Sequence, residues 1–302
     1  MTPIHSLHIQ PPALVSSPRG LYALEVTAKT VARIAESKAE IPPGTPINIA
    51  FLGSENHAQR IHAARIVRQY GFEPVPIISA RRLLSERELD NFLGYLIGEV
   101  APTRFMLVGG DPMTPAGPYV NSLGLLESGI LQRHAIRHVG IVAHPEGHPK
   151  IDADTLWRAL RWKLAFLKEA GCSVEITTQF GLDADAIVRW ITRLRGEEIT
   201  TPVRIGIPGP TDAGRLLRYA EQFGVIRSDG LLRKYGLSLT NLLQRVTSDR
   251  FVERLALGLN GRDFGTLLYH LYPFGGIADG VRWMDRFLRD QNLVAVPHSY
   301  IK

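Results

Sequence analysis

Short, mostly apolar runs punctuate the chain at positions 6–10, 47–52, 75–79, 105–108, 139–143, 174–179, 203–207 and 266–272. Each is strand-sized, and several lack a clean apolar–polar alternation, as expected when both faces of a parallel sheet are buried. Between them the apolar positions recur at helical spacing. After Asp183, the residues Ile187, Val188, Ile191 and Leu194 share one face, and Asp183 stands where a capping side chain belongs. Ser85, followed three residues later by Glu88, has the spacing of a capping box. Eight strand-then-helix units predict an α/β protein, a (β/α)8 TIM barrel forming a single domain over residues 1–302. The spacing breaks once, between Ile207 and Thr266. That gap leaves room for extra helices around 231–246, between strands 7 and 8, laid over the upper rim.

In such a barrel the residues just past each strand face one mouth. This gathers His8, Gln10, Gly109, Gly110, Asp111, His144, Glu146, His148, Gln179 and Tyr272. Gly109 and Gly110 allow close backbone approach to a planar ligand or phosphate, since neither carries a Cβ. Asp111 adds an acceptor, although Gly-Gly-Asp-Pro is equally the composition of a plain turn. His144, Glu146 and His148 invite a metal, but Pro145, Gly147 and Pro149 break the helix that the two-histidine zinc motif needs. No third ligand accompanies them, so no metal is expected, and loop histidines bonding a phosphate or a flavin are favoured. Gln179 offers a donor and an acceptor together, which suits the edge of a pterin-like heterocycle. The stretch Pro208-Gly209-Pro210-Thr211-Asp212-Ala213-Gly214 would open a helix where barrels often hold phosphate. Neither a P-loop, a dinucleotide fingerprint nor a nucleophile elbow occurs where it would matter.

Composition narrows the class further. The 302 residues are 45% hydrophobic, enough for a large core, yet no apolar run approaches a membrane span. The N-terminus has neither the charged start nor the apolar stretch of a signal peptide, so a cytoplasmic location is expected. A single cysteine, Cys172, excludes an internal disulfide framework. The net charge of +6 is spread singly along helical stretches, with no basic run and no aromatic ladder. That reads as a solvated surface rather than a nucleic-acid interface. Association into homo-oligomers is compatible with the fold class, but no patch specifies a symmetry.

Taken in order, these motifs resemble the methylenetetrahydrofolate reductase family in its short bacterial form. The matching segments are Ser6-Leu7-His8-Ile9-Gln10-Pro11-Pro12, Gly110-Asp111-Pro112, His144-Pro145-Glu146-Gly147-His148-Pro149, Ile176-Thr177-Thr178-Gln179-Phe180 and His270-Leu271-Tyr272-Pro273-Phe274. The resemblance implies FAD at the mouth, with NAD(P)H and a tetrahydrofolate derivative binding in turn. Hydride exchange would then interconvert 5,10-methylene- and 5-methyltetrahydrofolate. It places Asp111 by the flavin and pterin, and Gln179, with Gln10 and Tyr272, against the folate. Gly110, Tyr119, His144 and His148 would hold FAD. The family's acid, a glutamate in the opening strand, aligns with His8, so His8, Glu146, His144 or water would handle the proton. Ala50, Ile77, Gly109 and His144 also replace family flavin contacts. A flavin-independent NAD(P)H-dependent reductase and a non-catalytic folate-binding barrel are therefore the alternatives.

Overall fold

A computed structural model of the chain describes residues 20–222 and 245–290. Eight parallel strands close into a barrel: β1 (Tyr22–Thr27), β2 (Pro46–Ala50), β3 (Glu73–Ser79), β4 (Phe105–Val108), β5 (His138–Ala143), β6 (Ser173–Phe180), β7 (Val203–Pro208) and β10 (Leu267–Tyr272). β1 closes the ring by pairing with β2 on one side and β10 on the other. The expected (β/α)8 barrel is thus the observed fold. Its first strand differs from the expectation, however. The run at 6–10, with His8 and Gln10, lies outside the described residues, and Tyr22–Thr27 occupies the strand-1 position.

Strand β1 alternates strictly. Tyr22, Leu24 and Val26 join the outer core cluster, which leaves Ala23, Glu25 and Thr27 on the inward phase. The outer core lies between the ring and its helices, where Leu24, Ile47, Ile141, Ile176, Val203, Ile205 and Leu271 are fully buried.

The connecting helices are α1 (His57–Gln69), α2 (Glu86–Val100), α3 (Ser122–Glu127), α4 (Ile130–Arg133), α5 (Ala153–Glu169), α6 (Ala184–Gly196), α7 (Ala213–Gln222), α8 (Asp249–Leu259) and α9 (Ile277–Asp290). After β1 the crossover is a 3-10 helix, Val31–Ser37. Start signals read from the sequence hold here. Asp183 caps α6 through Ala186 N at 3.1 Å, and Ile187, Ile191 and Leu194 are buried with Trp190. Ser85 caps α2 by accepting from Glu88 N, whereas the Glu88 carboxylate reaches past Ser85 to Leu84 N.

Between β7 and β10 the chain adds α7, α8 and a small antiparallel ribbon of β8 (Thr211–Asp212) with β9 (Arg245–Val246). Residues 245 and 246 fall in the stretch expected to be helical and form a strand instead. The rest of that stretch lies outside the described residues. Among those residues no helix is long and apolar enough to cross a membrane.

The barrel interior has two unlike halves. Under β2 to β5, Ala50, Val75, Ile77 and Met106 form an apolar cluster with Val108 and Val142. Under β6, β7, β10 and β1 most inward positions are polar or aromatic, Glu175, Thr177, Arg204, His270, Tyr272 and Glu25, interspersed with Ala23, Gly206 and Leu268. Arg204, almost fully buried, is held by Glu175 at 2.6 Å and by the carbonyls of Gly20 and Tyr269.

Candidate functional site

A cavity of about 670 Å³ opens at the N-terminal ends of the strands, lined by Pro46, Glu73, Phe105, Ser173 and Arg204 among others. Barrel enzymes work at the opposite, C-terminal face. There the described loops gather most of the residues that the sequence singles out.

Gly110 adopts φ 95°, a left-handed conformation that suits glycine, and a Cβ there would collide with Ser79 Oγ. Asp111, next along, is gripped by Arg82, whose Nε and Nη2 donate to the two carboxylate oxygens at 2.9 and 2.7 Å. The same guanidinium sits 5.6 Å from the Phe51 ring and passes so close to Gly53 that a Cβ there would displace it. Its neighbour Arg81 donates to the carbonyls of Pro112 at 2.7 Å and Val120 at 2.8 Å, and to that of Met113. Two arginines from the turn after β3 therefore fasten the loop after β4. Tyr119, expected at the cofactor, is instead buried in the outer core with Leu125 and Leu126.

Past β5, the rings of His144 and His148 meet edge-on with centroids 5.2 Å apart. Burial pushes His144 down to about 4, with His148 and Lys163 adding to the effect, so it is neutral at physiological pH. His148 is lowered as well, by burial and then by Lys150, and its Nδ1 accepts from Lys150 N. Lys163, on the inner face of α5, is brought down to about 8 by burial.

Glu146 is committed elsewhere. Its Oε1 accepts from Leu182 N at 2.6 Å and Asp183 N at 2.9 Å, the backbone that enters α6. Those amides need an acceptor, and the bonds tie the β5 loop to the β6 loop. Glu146, expected to handle a proton, thus has one carboxylate oxygen engaged as a structural clamp.

On the far side of the mouth, Gln179 lies within a bulge in β6 that shifts the register between Thr177 and Phe180. Its Oε1 accepts from Phe180 N at 3.0 Å. Gly206 makes the bulge possible: its N donates to Thr178 Oγ1 at 2.8 Å, and a Cβ would lie 2.7 Å from the carbonyls of Thr178 and Gln179. Tyr272 donates to Thr178 O at 3.4 Å and stands among Phe180, Phe274 and His270. Its hydroxyl is held protonated, by burial first and by the charge of Glu25 second. The aromatic wall continues to Tyr219, stacked on Phe274 at 4.2 Å. Thr211 to Gly214, read as a phosphate-binding helix start, already holds an internal anion, since Asp212 accepts from Arg215 N at 2.7 Å.

Two residues passed over in the sequence reading complete this side. Glu25 points inward from β1, and its Oε2 lies 3.6 Å from Nε2 of His270, which is fully buried on β10. The clue to Glu25 was a lone carboxylate within the period-2 run Tyr22-Ala23-Leu24-Glu25-Val26-Thr27.

At several positions the residues present do not fit the flavin that the resemblance implies, although Gly110, His144 and His148 do stand at the mouth. Ala50, Ile77 and Met106 offer it hydrocarbon, Gly109 has no side chain, Asp111 is paired with Arg82, and Tyr119 is buried in the outer core. A flavin ring needs donors at its polar edge, and these positions supply none.

No family model matches the chain. Among solved structures it is similar to dihydropteroate synthase from Thermus thermophilus, with 13% identity and a TM-score of 0.47 over 90% of this chain and 94% of that one. A second is 3-dehydroquinate dehydratase from Aquifex aeolicus, with 11% identity and a TM-score of 0.45 over 88% of this chain and 97% of that one. Likeness at this level carries nothing about chemistry.

Proposed function

We propose that the barrel is a folate-class oxidoreductase that interconverts 5,10-methylene- and 5-methyltetrahydrofolate, exchanging hydride with NAD(P)H without a flavin. The observation that carries this reading is the placement of Glu25. The ordered motifs resemble a family whose acid is a glutamate in the opening strand, and the barrel's first strand presents one at an inward position. His8, which aligns with that acid in the sequence, lies outside the described residues.

The chain's own contribution is proton handling and orientation. Glu25, in its acid form, gives a proton to the departing nitrogen of the one-carbon bridge as the C–N bond breaks, the bond pair remaining on that nitrogen. The second ring nitrogen supplies its lone pair, which leaves an iminium carbon able to accept hydride. Gln179 meets the heterocycle edge, and Tyr272 with Phe180 and Phe274 gives a flat apolar wall for the ring system. Asp111, neutralised by Arg82, contributes a fixed polar rim rather than a free negative charge.

The test is anaerobic turnover of methylenetetrahydrofolate with NADH or NADPH, and of the methyl form in reverse, with and without added FAD. Turnover independent of FAD, reduced about 100-fold or more in Glu25→Gln, is expected if this carboxyl is the general acid. Activity that requires FAD would overturn the flavin-free step. Absence of turnover with every donor would overturn the enzyme assignment.

A further inference from the structure

We infer that His270 is a positioning residue for Glu25: its imidazole orients the carboxyl and stabilises the carboxylate left when Glu25 releases its proton. This rests on the folate reading above, in which Glu25 is the acid.

His270 has no solvent exposure, and neither ring nitrogen has a hydrogen-bond partner among the described residues. A buried polar group in that state calls for a physical explanation. Nε2 faces Glu25 Oε2 at 3.6 Å, just beyond hydrogen-bond range. Catalytic hydrogen bonds are often long before the ligand binds and tighten in the complex. Glu25 itself is about a quarter exposed, so it spans the gap between the sealed imidazole and the open mouth.

Among the described residues, His270 and the Asn48 amide are the side-chain donors nearest this carboxylate, and His270 is the one whose ring nitrogens are otherwise unbonded. On the same strand, the Tyr272 ring packs edge-on at 4.6 Å and fixes the imidazole plane. On β7, Gly206 pairs in register with His270 and brings no side chain toward it. One layer lower, Arg204 spends its guanidinium on Glu175 and two carbonyls. On β2, Asn48 stands beside Glu25 in register. With Nε2 carrying the proton, neutral His270 donates to the Glu25 carboxylate as the substrate nitrogen takes the acid's proton. The transferred proton comes wholly from Glu25, and the imidazole keeps its own.

The test uses His270→Leu, which removes the donor, His270→Gln, which keeps a side-chain N–H, and Glu25→Gln. In ligand-free protein labelled with 15N-histidine, the ring signals that vanish in His270→Gln should shift in Glu25→Gln. In turnover, His270→Leu should lower kcat at least about tenfold with KM nearly unchanged, and His270→Gln should restore much of the loss. Ring signals indifferent to Glu25→Gln, or full kcat in His270→Leu, would overturn the positioning role. Should His270→Leu fail to fold, His270→Gln and the spectra still decide. The folate reading fails separately, if the native protein turns over no folate, while the spectra still report the coupling.

Discussion

Arg82 holds Asp111 through two parallel hydrogen bonds, joining the turn after β3 to the turn after β4. Asp111 is about half exposed, so the pair adds little to global stability. Arg82→Ala and Asp111→Ala should each change the unfolding free energy by about 1 kcal/mol or less. The local effect should be larger. Amide exchange across residues 109–121 should quicken in Arg82→Ala, with the barrel strands unchanged, and a double-mutant cycle should show the two changes to be non-additive.

Glu146 separates a structural carboxylate from a catalytic one. Glu146→Ala strands the Leu182 and Asp183 amides and should cost about 1–3 kcal/mol, read as a lower denaturation midpoint. Glu146→Gln keeps an acceptor oxygen and should retain both the fold and turnover. A Glu146→Gln variant that folds but is inactive would return the residue to the chemistry.

His144 makes stability depend on pH. Its folded value, about 4, lies below the ordinary 6.5, so between those values the unfolded chain binds the extra proton. Stability is full above about 6.5, is lost as pH falls through that window, and stops falling on this account below about 4. The effect is at most of order 3 kcal/mol. Urea midpoints from pH 4.5 to 7 should therefore vary less steeply in His144→Gln than in the native protein.

Gly206→Ala should disturb the site from a distance. Its methyl would push against the Thr178 and Gln179 carbonyls, 2.7 Å away. A loss of about 1–3 kcal/mol is expected, with a weakened folate KM because Gln179 and Tyr272 both hang on that bulge. Unchanged stability and kinetics would mean that the bulge tolerates a Cβ.

Seven of the eight strands were legible, because apolar runs of strand length announce themselves whatever they pair with. The first was misplaced for a physical reason. Residues 6–10 and Tyr22–Thr27 both have strand character, and local pattern does not say which run closes the ring between β2 and β10. Glu25, in the run that does close the ring, therefore drew no attention, and His8 lies outside the described residues. Asp111, His144, His148, Gln179 and Tyr272 were all found at strand ends, yet their partners were not legible. The fate of Glu146 is decided by amides 36 residues further on, and that of Asp111 by an arginine 29 residues earlier.

The divided interior has a consequence for how charge is felt at the mouth. Across from Glu25 and His270 stand Ile77, Met106 and Val142, side chains that cannot reorient dipoles to answer a change of charge. A change of charge at Glu25 would therefore be answered mainly by His270, by Asn48 beside it in register, and by whatever water or ligand lies above it. Across the rest of the mouth the change acts as a directed field, strongest where a flat molecule resting on the wall of Tyr272 and Phe180 would present its reacting edge.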